Sequence, residues 1–296
     1  MDLLRRRCGS VAAPCDDAQV DSLTRRDMLR LGLGATAGLW SLGGLLGPAT
    51  AHGAPPEPSA AGTVLPTRDS GSFVSAARAG KETNWIIARP PNQTGPLRPV
   101  IALHGMDSDA AEVMSLGIEE QLAQVVADGG SPFAVIAADG GNSFWHRRAS
   151  GEDSGAMILD ELLPLMATKG VDTSRVAFMG WSMGGYGALM LGSQLGPART
   201  AGICAVSPAI YLTYWGAPPV AFDGIDDWRT NTVFGRPELN AIPLRVDCGI
   251  GDGFYVATRQ FVNHLDTPPA GGFTPGGHDP AFWRSQLADE LAWLAS

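Results

Sequence analysis

The sequence of 296 residues contains few lysines and no long uninterrupted apolar run. Lysine occurs only at Lys81 and Lys169, and the net charge is −9, so we expect no nucleic-acid-binding surface. The apolar run at residues 31–46 is rich in glycine and shorter than the roughly 18 residues of a membrane span, which argues against an anchor. Hydrophobic residues make up 45% and charged residues 17% of the chain, as in globular proteins with a substantial core.

The first 51 residues have the pattern of an export signal. Arg25 and Arg26 form a charged start, the apolar run 31–46 follows, and residues 49–51 (ATA) match a signal-peptidase site. The paired arginines resemble the Tat signal, whose cargo crosses the membrane already folded. We therefore expect a Tat-type signal peptide at residues 1–51, transient contact with the Tat machinery, and a secreted or envelope-associated protein. An amphipathic N-terminal helix or an anchor is the alternative.

The remainder of the chain alternates short apolar runs with segments of helical length. Residues 52–66 are rich in proline and alanine and predict a linker, and residues 67–296 predict one domain. The predicted strands are SFVSAAR, NWIIARP, RPVIALHG, FAVIAADG, RVAFMG, AGICAVSP and LRVDCGIGD. The predicted helices are 110–128, 156–169, 183–195, 255–265 and 280–294. This alternation favours an α/β fold with a mostly parallel sheet and helices on both faces.

Two further segments affect the expected architecture. Residues 211–243 are aromatic, proline-bearing and irregular, as a cap over an active site would be. Cys204 and Cys248 lie in apolar runs that we expect to be neighbouring strands. Outside the cytoplasm a disulfide is permitted, so both a bridge and a pair of buried free thiols remain open.

The stretch FMGWSMGGYGAL, residues 178–189, places Ser182 between glycines. The bare G-x-S-x-G pattern is weak, since roughly 0.3 matches are expected by chance in a chain this rich in glycine and serine. Its context strengthens it, because a strand-type run precedes the serine and a helical pattern with small residues follows. Strand, sharp turn, serine and helix form a nucleophile elbow, in which bulky flanking side chains would clash. We therefore expect Ser182 to be a nucleophile.

A serine hydroxyl needs a base to take its proton and an acid to orient that base. The histidines are His52, His104, His146, His264 and His278. The first lies at the signal junction, the next two precede the serine, and the fourth lies in a predicted helix. His278 stands in a glycine-flanked loop before the last helix, where the chain order serine, acid, histidine of α/β-hydrolases places the base. We expect His278 to be the base and His104 to be structural.

The candidate acid and the candidate oxyanion donors follow the ends of predicted strands. Asp252 comes after LRVDCGIG in a glycine-rich turn and should emerge at the same sheet edge as the serine. Asp247 is the competitor, but it lies inside the apolar run, where a carboxylate would need its own partners. The backbone amides of Met183 and Met106 are placed to stabilise a tetrahedral oxyanion, each by roughly 3 kcal/mol.

Together these motifs resemble the esterase D-type "putative esterase" family of α/β-hydrolases, which includes secreted mycolyltransferases. The resemblance covers about residues 100–293 and rests on LHG, GGNSFWH, GWSMGGYGAL, CGIGDGFY and GGHDPAFW. It implies the α/β-hydrolase fold and a catalytic triad of Ser182, Asp252 and His278.

The same resemblance implies further site residues. The family's oxyanion amides fall on Met106 and Met183. The segment GGNSFWH is similar to the one that lines the family's acyl or alcohol pocket, which implies substrate contacts for Phe144 and Trp145.

The leading expectation is an exported serine esterase that acts on a small-molecule or lipid ester, with no cofactor and no stable protein partner. An acyltransferase that passes the acyl group to a sugar or lipid hydroxyl would use the same triad. A catalytically idle wall protein of this fold is a third reading. A metal hydrolase built on Asp223, Asp226 and Asp227 lacks nearby histidine ligands, so we expect a solvated acidic turn there and no metal.

Overall fold

The computed structural model describes residues 64–296. The expected signal peptide at residues 1–51, and most of the expected linker at 52–66, lie outside the described residues and stay predictions. Within residues 64–296, none of the helices combines the length and the apolar character that crossing a bilayer requires.

An eight-stranded sheet in the order β1-β2-β4-β3-β5-β6-β7-β8 forms the centre of the domain. Its strands are β1 (Arg68–Ser75), β2 (Lys81–Ala88), β3 (Pro99–Leu103), β4 (Ala134–Ala138), β5 (Val176–Trp181), β6 (Thr200–Val206), β7 (Leu244–Gly249) and β8 (Ala270–Thr274). Strand β2 runs antiparallel to both β1 and β4, and all other neighbours are parallel. The predicted mostly parallel sheet is therefore confirmed.

Helices cover both faces of the sheet. They are α1 (Ala110–Met114), α2 (Ile118–Ala127), α3 (Ser154–Ala156), α4 (Leu163–Thr168), α5 (Met183–Leu195), α6 (Ile225–Asn231), α7 (Tyr255–Asn263) and α8 (Pro280–Leu294), with a π-helical turn at Met157–Leu162 and 3₁₀ turns at Tyr214–Gly216 and Pro237–Asn240. Apolar residues of α4, α5 and α7 form a core on one face, and those of α1, α2 and α8 form a second core on the other. The prediction of helices on both faces is confirmed.

The structure corrects the predicted elements at three places. The expected helix at 110–128 is two helices, because Gly117 between them adopts a left-handed backbone (φ 105°). Strand β8 was not predicted, since its sequence AGGFT lacks an apolar pattern and is specified by pairing with β7. Helix α6 was also missed, inside the segment 211–243 that was expected to be irregular.

Segment 211–243 packs onto the core face that carries α5. Phe222 is almost fully buried, and its ring meets those of Tyr186 and Tyr211 edge to face at 6.1 and 6.2 Å between centroids. Tyr211 in turn contacts Phe254, at the start of α7, at 5.6 Å. The segment is therefore anchored by aromatic side chains, while Trp215 within it is exposed.

Candidate active site

Ser182 stands in the turn between β5 and α5, with a backbone conformation (φ 57°, ψ −119°) that few non-glycine residues adopt. Tight packing around this turn requires the neighbouring glycines. A Cβ at Gly184 would overlap the carbonyl oxygen of Leu103 on β3, and one at Gly180 would overlap the backbone of Gly184. The glycine-rich sequence is thus explained by close backbone contacts, which lift the serine hydroxyl above the edge of the sheet.

The structure brings together the three side chains of the expected triad. His278 Nε2 lies 2.8 Å from Ser182 Oγ, and His278 Nδ1 lies 2.8 Å from Asp252 Oδ2. Because a carboxylate can only accept, Nδ1–H donates to Asp252, and Nε2 is left to accept the serine O–H. The imidazole remains partly exposed, whereas the Asp252 side chain is fully buried. This is the arrangement in which an imidazole can take a proton from serine.

Hydrogen bonds hold the Asp252 carboxylate in its ionised form. Its second oxygen, Oδ1, accepts the backbone N–H of Phe254 at 2.8 Å. Burial acts to raise the pKa of Asp252, but hydrogen bonds from His278 and the Phe254 amide outweigh burial and hold that pKa below its ordinary value. The competing carboxylate, Asp247, lies within β7 and accepts from Arg245 Nε at 2.6 Å instead.

The two expected oxyanion donors lie beside the serine. Met183 is the first residue of α5, so its amide has no partner within the helix. Met106 follows β3, and its amide donates no hydrogen bond within the described part of the chain. A Cβ at Gly105 would lie 3.6 Å from Ser182 Cβ, which shows how closely this loop approaches the serine. Neither amide therefore has a hydrogen-bond acceptor among the described residues, so both remain able to donate to an oxyanion.

A cleft of about 450 Å³ opens beside Ser182 and His278 and is called the triad cleft here. Its walls combine apolar side chains with a few charged ones. They include Val113, Leu116, Trp181, Pro280, Trp283, Glu112 and Arg284. The rings of Phe254 and Trp283 lie 5.2 and 5.4 Å from the imidazole of His278 and limit its movement. Among the described residues, none of those that line this cleft belongs to segment 211–243.

The structure does not bring Phe144 and Trp145 to the triad cleft, which corrects the expectation that they contact substrate. Their exposed fractions are 2% and 0%. Trp145 packs against α5, and a Cβ at Gly187 on that helix would overlap its ring. A Cβ at Gly140, in the loop after β4, would overlap the same ring. Both residues have positive φ (55° and 56°), so the loop is shaped to bury them. The glycines facing the indole were the available signal for this burial.

The histidines outside the triad have other partners. His104 is buried, accepts the Gly140 N–H at Nε2 (2.8 Å), and donates from Nδ1 to its neighbour's carbonyl, that of Gly105 (2.6 Å). Burial lowers the pKa of His104, so its ring stays neutral. The bond from that ring to the Gly105 carbonyl fixes the loop that carries Met106. His264 is exposed on α7, and its Nδ1 meets the Gln260 carbonyl oxygen at 2.6 Å.

The acidic turn of segment 211–243 is engaged with protein donors. Asp223 accepts from Arg148 and from the Ala149 amide, and Asp226 pairs with Arg229. Asp227 accepts from the Asn231 side chain and lies 3.3 Å from the His146 ring nitrogen, so the expectation that no histidine lies near this turn is wrong. Hydrogen bonds within the protein therefore account for these three carboxylates.

Cys204 and Cys248 are buried thiols that form no disulfide with each other, so the structure has the second of the two alternatives, a pair of free thiols. Cys204 belongs to a group that sequence analysis missed, called the Glu290 cluster: Cys204, Asp247 and Glu290, together with Arg245. Glu290 lies on α8 and is fully buried, and neither of its carboxyl oxygens has a hydrogen-bond partner among the described residues. Burial raises the pKa of Glu290 well above its ordinary value.

Comparisons with known proteins identify the family and the fold. The model of the family described as "Putative esterase" matches residues 76–252. No curated protein matches the chain. Among solved structures, FphF of Staphylococcus aureus, a fluorophosphonate-binding serine hydrolase, is 19% identical, and the match covers 79% of this chain and 100% of FphF with a TM-score of 0.67.

Two further structures are similar to a comparable degree. A ferulic acid esterase is 20% identical over 77% of this chain and 97% of its own, with a TM-score of 0.65. The S-formylglutathione hydrolase FrmB from Staphylococcus aureus is 19% identical over 77% of this chain and 98% of its own, with a TM-score of 0.64. At such identities the structures support the α/β-hydrolase fold, and the family model, which spans more than half of the chain, supplies the family. The chain belongs to the "Putative esterase" family of α/β-hydrolases and is a serine hydrolase of the esterase type.

Proposed function

We propose that the protein hydrolyses carboxylic esters through an acyl-enzyme on Ser182. The observation that carries the proposal is the continuous pair of 2.8 Å contacts from Asp252 through His278 to the serine oxygen. In the first half-reaction His278 accepts the serine proton while Oγ attacks the ester carbonyl. The amides of Met106 and Met183 stabilise the oxyanion, and His278 then gives its proton to the departing alcohol.

In the second half-reaction a water molecule replaces the alcohol. His278 accepts a proton from that water, hydroxide attacks the acyl carbonyl, and the proton returns to Ser182 as the acid departs. Asp252 keeps the imidazole in the required tautomer through both steps and stabilises the imidazolium. The partial exposure of the imidazole supports hydrolysis, because water can reach it from the triad cleft.

Acyl transfer is the second candidate, since the acyl group could pass from Ser182 of the same intermediate to a sugar or lipid hydroxyl. The triad cleft supports it by its size, because about 450 Å³ accommodates an acceptor larger than water. The two outcomes differ only in which nucleophile enters the second half-reaction. Measuring released acid against acylated product, with and without an added polyol, separates them.

Substrate identity can be approached from the similar structures. Their names point to feruloyl esters and to the thioester S-formylglutathione. Both compounds have a carbonyl carbon that a serine hydroxyl can attack. These compounds, together with p-nitrophenyl esters of increasing acyl length, form a direct panel for the triad cleft. We expect short and medium acyl chains to be preferred, because the cleft is of moderate volume.

The decisive experiment compares Ser182→Ala with Ser193→Ala. Ser193 is a buried serine on α5 whose hydroxyl donates to the Met190 carbonyl and accepts from Arg236, so it controls for the loss of a serine hydroxyl outside the triad. We expect Ser182→Ala to lose ester turnover and covalent labelling by a fluorophosphonate while it remains folded. Turnover near the wild-type level in Ser182→Ala would overturn the proposal, and an unlabelled wild-type protein would favour the idle-scaffold reading.

Export also belongs to the proposal. The twin arginines and the ATA site of residues 1–51 support passage through the Tat pathway to the envelope or the medium. Fractionation of cells expressing the full chain, compared with a variant in which Arg25 and Arg26 are both lysine, tests this. Retention of the wild-type protein inside the cell would contradict it.

A further inference from the structure

The triad cleft is bordered by two parts of the chain that differ in charge. One wall follows β3 and carries the carboxyl groups of Asp107 and Glu112. The other wall begins at His278 and continues into the first turns of α8, where it carries Arg284. Within the described part of the chain, Arg284 is the only lysine or arginine that lines this cleft. A ligand in the cleft is thus bordered by carboxylates on one wall and by a guanidinium on the other.

The guanidinium of Arg284 has no counter-ion among residues 64–296. It is exposed, and it forms no ion pair with any described carboxylate, those of the cleft included. Asp107 accepts instead from the Asn142 side chain, at 2.6 Å. The positive charge of Arg284 is therefore available to an anionic group of a ligand, and a guanidinium matches a carboxylate with two parallel hydrogen bonds.

The chemistry of the triad indicates which part of an ester lies along α8. In the proposed reaction His278 gives its proton to the departing oxygen, so that oxygen lies within hydrogen-bond distance of the imidazole. The amides of Met106 and Met183 hold the carbonyl oxygen instead. The ring of Trp283, on the first turn of α8, lies 5.4 Å from the imidazole of His278. An alcohol attached to the departing oxygen therefore extends along Trp283 towards Arg284.

We propose that Arg284 selects esters whose alcohol part carries an anionic group such as a carboxylate. The inference rests on the proposed function and adds a substrate class to it. Trp283 supports the inference, because an aromatic ring beside the guanidinium offers an apolar surface to the carbon skeleton of the alcohol. The net charge of the chain is −9, so an anionic substrate is repelled at a distance and the preference depends on this local contact.

Three esters locate the charge that Arg284 recognises. They are p-nitrophenyl butyrate, its analogue with a carboxylate on the nitrophenyl ring, and the p-nitrophenyl monoester of adipic acid, which carries its carboxylate on the acyl part. We expect Arg284→Gln to lower kcat/KM about tenfold for the ester with the carboxylated ring, mainly through a higher KM, because a charge-assisted contact is lost. The other two esters should change less than about twofold. Arg284→Glu should increase the loss on the carboxylated ring, since it replaces attraction by repulsion.

The matched control is Arg259→Gln, which removes an exposed arginine from α7, outside the cleft. It should leave all three esters at the wild-type level, which shows that the change in net charge is not the cause. Added salt should reduce the wild-type advantage on the carboxylated ring, because screening weakens an exposed contact.

Two results for Arg284→Gln would overturn the inference. An equal effect on all three esters, or none, would show that Arg284 does not recognise charge. A loss confined to the adipate ester would place the anionic group on the acyl part. If the wild-type enzyme hydrolyses none of the esters, the proposed function fails; if it hydrolyses the butyrate ester and Arg284→Gln shows no charge effect, this inference fails alone.

Discussion

Two buried carboxyl groups, that of Asp252 after β7 and that of Glu290 on α8, differ in their pKa shifts. Asp252 accepts from His278 and from the Phe254 amide, and these bonds lower its pKa in spite of burial. Glu290 is buried as completely but has no hydrogen-bond partner among the described residues, and burial raises its pKa. Burial by itself favours the neutral carboxylic acid. Hydrogen bonds from aligned donors therefore decide whether a buried carboxyl group is charged. Only the first of these groups can orient an imidazole.

The largest effect is expected when the histidine that is hydrogen-bonded to Asp252 is removed. His278→Ala should lower kcat by about 10⁶, by analogy with loss of the histidine in a serine protease, because no base remains for the serine. His264→Ala is the matched control, since that residue is exposed on α7, where its ring meets the Gln260 carbonyl and the ring of Phe234. The rates of both variants are measured on a p-nitrophenyl ester. A larger loss of activity in His264→Ala than in His278→Ala would show that His278 is not the base.

The next test compares the two aspartates of the β7 region directly. Asp252→Asn should reduce kcat by about 10⁴, because the amide favours the wrong imidazole tautomer, with little change in unfolding free energy. Asp247→Asn should do the opposite, since it weakens the buried pair with Arg245 and costs about 2 kcal/mol of stability while the active site is kept. Denaturant titration and ester turnover on both variants check this. Equal activity losses would remove the distinction between the two carboxylates.

The smallest expected effect on activity concerns Glu290, whose contribution appears in the pH dependence of stability. Because its folded pKa is raised above the ordinary value of 4.5, the folded protein keeps a proton that the unfolded chain releases above that pH. Stability from this group is therefore complete below pH 4.5 and is lost as pH rises towards and through the folded pKa, at up to about 1.4 kcal/mol per pH unit.

The substitution Glu290→Gln keeps the shape of the side chain and removes its titration. We expect the unfolding free energy of the variant to fall less than that of the wild type between pH 5 and pH 8, with ester turnover unchanged. Urea titrations at several pH values measure the difference between the two curves. Parallel curves would show that Glu290 is ionised in the folded protein and that the comparison with Asp252 is false.

The sequence predicted the parts of the site that have local signals. Ser182 was found because close backbone packing restricts its neighbours to glycine, and that restriction is visible as a motif. Asp252 was predicted because it follows a strand with a clear apolar pattern, and His278 because it precedes the last predicted helix, in the chain order of the fold. The sheet was predicted for the same reason, since its central strands are continuous apolar runs.

The remaining features depend on contacts between distant parts of the chain. Glu290 is one of several carboxyl groups in the sequence of α8, and only the folded structure shows that it is buried without a hydrogen-bond partner among the described residues. Arg284 looks like an ordinary exposed residue of α8 until the folded chain is seen to place it in the wall of the triad cleft. Phe144 and Trp145 were misassigned because an aromatic loop residue can be bound to substrate or be packed into the core, and the choice depends on space beneath α5.

The contact between Gly184 and Leu103 has a consequence for how this site can change over time. It joins two main chains without any intervening side chain. The spacing between the nucleophile and the loop that carries Met106 is therefore independent of which side chains fill the surrounding core. Substitutions that alter the shape of the cleft can accumulate on its walls while that spacing stays constant, so new substrates can be reached without rebuilding the chemistry.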